Sequence, residues 1–300
     1  MIKRVILLII LISVLRPVNS GAVTVLAIKS RDLAQYELAI SGFKSGFQGQ
    51  ELNLIVIDNL SDKSQIFSAI ETKRPDLILC LGNEALNYSI SIKDIPKVFC
   101  LVANPKSCVS HDRADVYGVT ISLPSLVQFR IIAGELPDVK RIGVIYNPEF
   151  NLKHIEEARK SASELDLELV SCPISSIKDV PSALNYLKDK IDVLWSVFDS
   201  TAYGPETARY VLLFALRKGI PFVGFSPEFT KAGAIMALYG DYKDMGTQAA
   251  LLAMDILSKK SSHSAVLDPR LVRIAVNRRV AEAIGISFDP AFLEKVDQEF

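Results

Sequence analysis

From Ala22 onward the chain alternates short apolar runs with longer segments in which apolar residues recur every three or four positions. The runs at 22–28 (A-V-T-V-L-A-I), 52–58, 76–82, 97–102 and 116–121 have the length and composition of buried strands. Between them, 31–47, 61–74 and 83–91 have helical spacing. The pattern restarts with a helix at 126–136, stopped by Pro137, and a strand at 141–146. A helix at 151–165, a strand at 167–172 and a helix at 179–188 follow. A strand at 192–198, a helix at 204–218 and a strand at 221–225 complete the second series. Near-continuous apolar strands separated by helices predict parallel sheets covered on both faces. Two such series, of roughly 100 residues each, predict an α/β protein of two similar lobes, which share the tail 232–300. Within that tail, Ile235 to Leu238 reads as a strand and Gly246 to Leu257 as an amphipathic helix.

In an open parallel sheet, ligands bind beyond the carboxyl ends of the strands. The residues at those places are Lys29-Ser30, Asn59, Asn83-Glu84, Ala103-Asn104-Pro105, Tyr146-Asn147-Pro148, Asp199-Ser200 and Ser226-Pro227, joined by Tyr239 and Asp241. The set is rich in Asn, Ser, Tyr and carboxylates. It holds no glycine-rich phosphate loop.

The first 20 residues read differently. Lys3-Arg4 precedes an apolar run from Val5 to Leu15, Arg16-Pro17 ends it, and small residues lead to Gly21. Such a run is too short for a membrane span, which needs ~20 residues. The layout is that of a secretory signal over residues 1–20. No cysteine stands near the cut, so no lipid anchor is expected, and the exported chain is expected to be periplasmic. Cleavage removes three of the 34 basic residues, Lys3, Arg4 and Arg16, and leaves 31 against 34 acidic ones. That mild negative balance argues against nucleic acid and anionic membrane surfaces as partners.

Little in the sequence points to chemistry. Cys80, Cys100, Cys108 and Cys172 lack metal-ligand spacing, and neither a metal nor a cofactor is expected. Cys80 and Cys100 sit in apolar runs, and export leaves a Cys100–Cys108 bridge open. His111, His154 and His263 are scattered and read as solvated surface residues. Gly224-Phe225-Ser226-Pro227-Glu228 lacks the second glycine of a nucleophile elbow, and Pro227 follows the serine. A paired-carboxylate glycosidase could use Glu84 and Asp199, a weak option whose separation the sequence does not give. Trp195, alternating with Ser196 and Phe198, reads as core. Recognition is expected, not catalysis.

Several stretches, in this order and spacing, resemble the solute-binding proteins of ABC importers of the tryptophan/tyrosine type. They are P-D-L-I-L-C-L-G (75–82), Y-G-V-T-I-S-L-P (117–124), K-R-I-G-V-I-Y-N-P (140–148), K-A-G-A-I-M-A-L-Y-G-D-Y-K-D-M-G-T-Q-A-A (231–250), L-V-R-I-A-V-N-R-R-V-A-E-A-I-G-I (271–286) and F-D-P-A-F-L-E-K-V-D (288–297). The resemblance runs from Val23 to Asp297. It implies two Rossmann-like lobes with parallel sheets, joined by a three-crossover hinge, in the periplasmic-binding-protein-like I arrangement. The expected lobes are 22–122 plus 232–260 and 123–231 plus 261–300, with crossovers near 121–125, 226–233 and 260–268.

The function implied is capture of a small polar organic ligand, an amino acid among the options, between the lobes. A monomeric protein would then deliver it to an ABC permease and its ATPase. The same fold could instead present its ligand to a membrane-bound signalling receptor. Carried over by position, the expected ligand-binding residues are Asn83, Glu84, Asn104, Asn147, Asn151, Asp199, Ser200, Tyr239 and Asp241. Asp199 is expected to meet a ligand ammonium, with capping of the helix at 204–218 as the alternative. Asn83 has a similar capping alternative. Tyr239 would offer an aromatic face and Asp241 a carboxylate, while Asp244 reads as a helix cap. Glu84 departs from the small residue usual at its place, Leu152 stands where serine is common, and the Tyr239 loop is one residue short. These departures leave room for a ligand other than an aromatic amino acid. If Glu84, Asp199 and Asp241 all point inward, the cleft is negative and prefers a cationic amine.

Overall fold

The computed structural model describes residues 22–58, 60, 63–103, 105, 116–258 and 266–300. The expected signal segment, Asn59, Asn104, Cys108, His111 and His263 lie outside them.

The first sheet contains β1 (Val23–Lys29), β2 (Leu52–Ile57), β3 (Leu77–Leu81), β4 (Lys97–Val102), β5 (Val116–Thr120) and β11 (Val266–Leu267). Its order is β11-β5-β4-β3-β1-β2, and every pairing is parallel. All residues of β3 and β4 are buried, as expected of strands covered on both faces. Alternation divides them between two cores. Val25, Ala27, Leu77, Leu79, Val98 and Cys100 pack under helices α1 (Ala34–Gly46) and α10 (Tyr242–Leu257). Leu26, Ile28, Ile78, Cys80, Phe99 and Val102 pack under α2 (Lys63–Lys73) and α3 (Asn83–Ser89). Cys80 and Cys100 are buried free thiols, which burial pushes up to about 12.

The second sheet contains β6 (Arg141–Tyr146), β7 (Glu168–Pro173), β8 (Val193–Trp195), β9 (Phe222–Gly224), β10 (Met236–Gly240), β12 (Val272–Val276) and β13 (Gln298–Glu299). Its order is β13-β12-β10-β9-β8-β6-β7, parallel except for the β10–β12 pair. Its helices are α4 (Ser125–Glu135), α5 (Pro148–Ser163), α6 (Val180–Leu187), α7 (Ser200–Tyr203), α8 (Ala208–Lys218), α9 (Pro227–Ala232), α11 (Arg278–Ala283) and α12 (Pro290–Leu293). Trp195 lies at the core of this lobe, as read from the sequence. Its ring meets Phe129 edge-on at 4.8 Å, and its Nε1 donates to Gln128 Oε1 at 2.9 Å. His154 is not a solvated surface residue: it is half-buried with its ring 5.8 Å from Trp195, and burial lowers its pKa against the opposing pull of Glu157.

The α/β architecture with two parallel-sheet lobes is the one expected, but two segments change sides. Strand β10, assigned above to the first lobe, lies inside the second sheet between β9 and β12. Strand β11, assigned to the second lobe, forms the edge of the first sheet. The chain therefore passes between sheets after β5, between β10 and α10, and between β11 and β12. Residues 226–233 are not a crossing: they hold α9, which packs on β9, β10 and β12 of its own sheet. Among the described residues no helix is long and apolar enough to cross a membrane.

Candidate functional site

On the first lobe, β3 gives way to α3 at Asn83. The side chain does not cap its own helix. Its Oδ1 accepts from the backbone N–H of Ala103 at 3.0 Å, tying the end of β3 to the end of β4. Its Nδ2 makes no hydrogen bond among the described residues and is left as a donor. Glu84 turns aside to pair with Arg31 at 2.7 Å, both side chains being exposed. At the end of β1, Lys29 is buried among Asp32, Glu37 and Asp58, at 3.2, 2.6 and 2.7 Å. Burial would lower its pKa, but hydrogen bonds to Asp58, Glu37 and Asp32 outweigh that and raise it. These charges answer one another.

The second lobe contributes a carboxylate of another kind. Asp199 is 5 % exposed. Its Oδ1 accepts from the N–H groups of Thr201 and Ala202 at 2.9 and 3.1 Å, capping α7. Its Oδ2 accepts from the backbone N–H of Asn147 at 2.6 Å and from Asn151 Nδ2 at 2.9 Å. Asn147 in turn caps α5 through Glu149 N–H at 3.0 Å and donates Nδ2 to Thr201 Oγ1 at 3.2 Å. An ionised carboxylate offers about four acceptor positions, and four donors occupy them here. All four donors are neutral, and among the described residues no cation pairs with this carboxylate. In a low-dielectric surrounding that charge acts at longer range than it would in water.

Asn83 and Ala103 from the first lobe, and Phe150, Phe198, Asp199, Ser200, Tyr203, Gly204 and Phe225 from the second, line an open cavity of about 440 Å³. Its second-lobe wall is aromatic. The rings of Phe198 and Phe225 lie 4.1 Å apart at 34°, and Phe225 meets Phe229 edge-on behind them. Phe150, on α5, is 44 % exposed. The Tyr203 hydroxyl is already spent, accepting from Ile145 N–H and donating to the Trp195 carbonyl, both at 3.2 Å. Ser200 is exposed, and its hydroxyl has no partner among the described residues. The cavity thus combines a stack of rings, two free polar groups and one buried negative charge.

Tyr239 and Asp241 are elsewhere. They line a second groove of about 660 Å³ that shares no residue with the first cavity. Asp241 caps α10 through Asp244 N–H at 2.9 Å, and its Oδ2 accepts from Arg273 Nε and Nη2 at 2.8 and 2.6 Å. Asp244, read as the cap, instead binds Arg270 at 2.6 Å.

Of the nine expected residues, Asn83, Asp199 and Ser200 meet in one cavity. Asn147 and Asn151 brace Asp199 and do not line it. Glu84 lines neither cavity, Tyr239 and Asp241 line the other groove, and Asn104 lies outside the described residues. The three carboxylates therefore do not converge. The helix that Asp199 caps is α7, not the one expected from 204. Phe150, Phe198 and Phe225 were not anticipated; each follows a strand end by a few residues, which is the signal that could have found them.

The sequence profile of the ABC transporter substrate binding proteins matches residues 37–299 of this chain. A tyrosine-binding protein of Clostridioides difficile (strain R20291) is 26% identical over 212 residues, 68% of this chain. The match spans 61% of that relative's own length. A substrate-binding protein with adhesive properties from Clostridium difficile, in its ligand-free, open form, is similar with a TM-score of 0.72 at 20% identity, over 92% of this chain and 98% of that one. The ABC domain of a Streptococcus pneumonia protein in complex with L-Trp is similar with a TM-score of 0.67 at 17% identity, over 93% and 100%. At these identities the two solved structures speak for the fold. The family consists of substrate-binding proteins, not enzymes, and this chain, matched by its profile over nearly its whole length, belongs to the ABC transporter substrate-binding proteins.

Proposed function

We propose that the protein is exported and, as a monomer, captures an amino acid with an aromatic side chain in the cavity between Asn83 and Phe198, then delivers it to an ABC permease. The observation that carries this reading is the Phe198–Phe225 stack, on a cavity wall that Phe150 shares, beside a carboxylate whose partners among the described residues are all neutral. Aromatic rings gain from offset stacking beyond the area they bury. The uncompensated charge of Asp199 favours an ammonium nearby, acting through space because its lone pairs are in use. Asn83 Nδ2 and the Ser200 hydroxyl are free to meet a carboxylate. The names of the tyrosine-binding relative and of the L-Trp complex agree with this ligand class. Residues 121–124, 241 and 268–271, which link the sheets, serve as the hinge on which the lobes close.

A thermal-shift panel tests the reading. L-tyrosine, L-tryptophan and L-phenylalanine should stabilise the protein, and a ligand at 100 times its dissociation constant adds ~2.7 kcal/mol. Their deaminated analogues, lacking the ammonium, should give no shift. Equal shifts with the deaminated compounds would remove the role given to Asp199. Shifts with sugars or polyamines alone would remove the aromatic reading.

A further inference from the structure

The groove that holds Tyr239 lies between the lobes but away from the cavity above. Its first-lobe wall is the start of α1, with Leu38, and its second-lobe wall is α9, with Glu228, together with Arg273 and Asp297. Tyr239 is 6 % exposed, and its hydroxyl has no hydrogen-bond partner among the described residues. The ring is buried but the hydroxyl opens onto the groove, where a donor from outside the chain can meet it. The Tyr242 ring lies 5.7 Å from that of Tyr239, and its hydroxyl is likewise without a partner among the described residues.

The charges facing Tyr239 are unequal. Three carboxylates, Asp297, Glu228 and Asp241, are set against one guanidinium, Arg273. Arg273 is already shared between Asp241 and Asp297, at 2.6 Å to each. Glu228 has no ion-pair or hydrogen-bond partner among the described residues; like Lys231 and Lys243, which also line the groove, it is exposed. Consistent with this, burial and then Asp297 push the Tyr239 phenol up to about 12, against the pull of Arg273. Burial and then Glu228 raise that of Tyr242.

We propose that this groove is a second, separate binding site for a small organic cation, whose ammonium sits between the Tyr239 hydroxyl and the Glu228 carboxylate, against the Tyr239–Tyr242 rings. A phenol oxygen and a carboxylate are both acceptors for an ammonium, and a ring face attracts a cation within about 6 Å. The site does not depend on what the first cavity binds.

Putrescine is the probe, with 1,4-butanediol as its uncharged counterpart. Calorimetric titration of the protein should show saturable one-to-one binding of the diamine and none of the diol. Glu228→Gln and Tyr239→Phe should each weaken putrescine binding at least tenfold. Both changes conserve size, and an unchanged melting temperature confirms that each variant folds. Glu228→Gln should leave binding of an aromatic amino acid as it was, and Phe150→Ala should leave putrescine binding as it was. The proposal is overturned if putrescine does not bind saturably, if neither Glu228→Gln nor Tyr239→Phe weakens it, or if Phe150→Ala abolishes it. The last result would place the diamine in the first cavity.

Discussion

Asp199 is the residue on which two demands meet. It was expected to meet a ligand, and capping was the competing reading. The structure gives it four intramolecular donors at 2.6–3.1 Å, so its lone pairs hold the protein together while its charge remains for the site. Replacement by alanine would strand the Asn147 N–H, leave the Asn151 amide with its longer bond to the Phe198 carbonyl at 3.4 Å, and uncap α7. With hydrogen bonds to a charged group contributing ~1.5–3 kcal/mol, and a cap about 1, Asp199→Ala should lose about 3 kcal/mol of stability in urea unfolding. A loss below about 0.5 kcal/mol would contradict the bracing role. Beyond-the-strand reasoning picked out Asn83, Asp199 and Ser200, which the structure brings to one cavity, because topology puts strand ends on the same side of a parallel sheet. It was blind to which of them had hydrogen bonds to spare. It passed over Phe150, Phe198 and Phe225, since an aromatic residue near a strand end looks the same whether it faces core or cavity.

Carboxylates at two other places make the fold sensitive to acid. Asp192 accepts from the N–H groups of Lys140 and Arg141 and pairs with the Arg141 guanidinium at 2.7 Å. Asp241 holds Asp244 N–H and Arg273. In each, burial pushes the pKa up, but those donors outweigh it and leave the value below the usual range. A depressed folded-state value means stability that is fully present above the unfolded value of about 3.9 and is lost as pH falls through the folded one. Unfolding free energy should therefore decline on acidification below about pH 4, and Asp192→Asn should flatten that decline. An identical pH profile in the variant would contradict the assignment.

Among the elements, the contact between α1 and α10 does the most to join the two ends of the chain. Helix α10 leaves the second sheet at β10 and lies on α1 of the first lobe, and the approach is close enough to exclude side chains. A Cβ on Gly42 would stand 1.7 Å from the Lys243 carbonyl oxygen, and one on Gly246 would stand 1.9 Å from that of Ala39. Thr247 Oγ1 donates to the Gly42 carbonyl at 3.1 Å across the same seam. Gly246→Ala should cost ~1–3 kcal/mol through overpacking, in spite of alanine's better helix propensity. Gly134, on α4, has nothing within 4 Å of such a Cβ, so Gly134→Ala should gain about 0.5–1 kcal/mol. Denaturant midpoints that move in the same direction for both would refute the seam. Most elements were legible as periodicity, β3 and β4 above all, because a strand buried on both faces is apolar throughout. The helix expected from 204 begins only at Ala208, since Pro205 disfavours helical backbone at Gly204 before it. Helix α9 was taken for a crossing because six residues behind a proline carry too little pattern.

At the scale of the whole molecule, two lobes of one architecture share a chain that crosses between them three times. Local pattern could not assign β10 and β11 to their sheets. Which sheet a strand joins is decided by its hydrogen-bonded neighbours, and those lie far off in sequence: Tyr239 pairs with Arg273, and Val266 with Gly118. The consequence for function is that the aromatic cavity and the Tyr239 groove open at separate places between the lobes, one beside Asp199 and the other beside Arg273. The central claim concerns the first of them, and Phe150 offers the cleanest handle: it is 44 % exposed, so its removal costs the fold little while taking a ring from the cavity. The direct test is calorimetric titration of L-tyrosine and L-tryptophan into the protein and its Phe150→Ala variant, each refolded from denaturant to strip any retained ligand. Saturable one-to-one binding of at least one of them, weakened about tenfold or more in the variant, a loss of ~1.4 kcal/mol, is the predicted result. No binding of either by the refolded native protein, or equal binding by the variant, would contradict it.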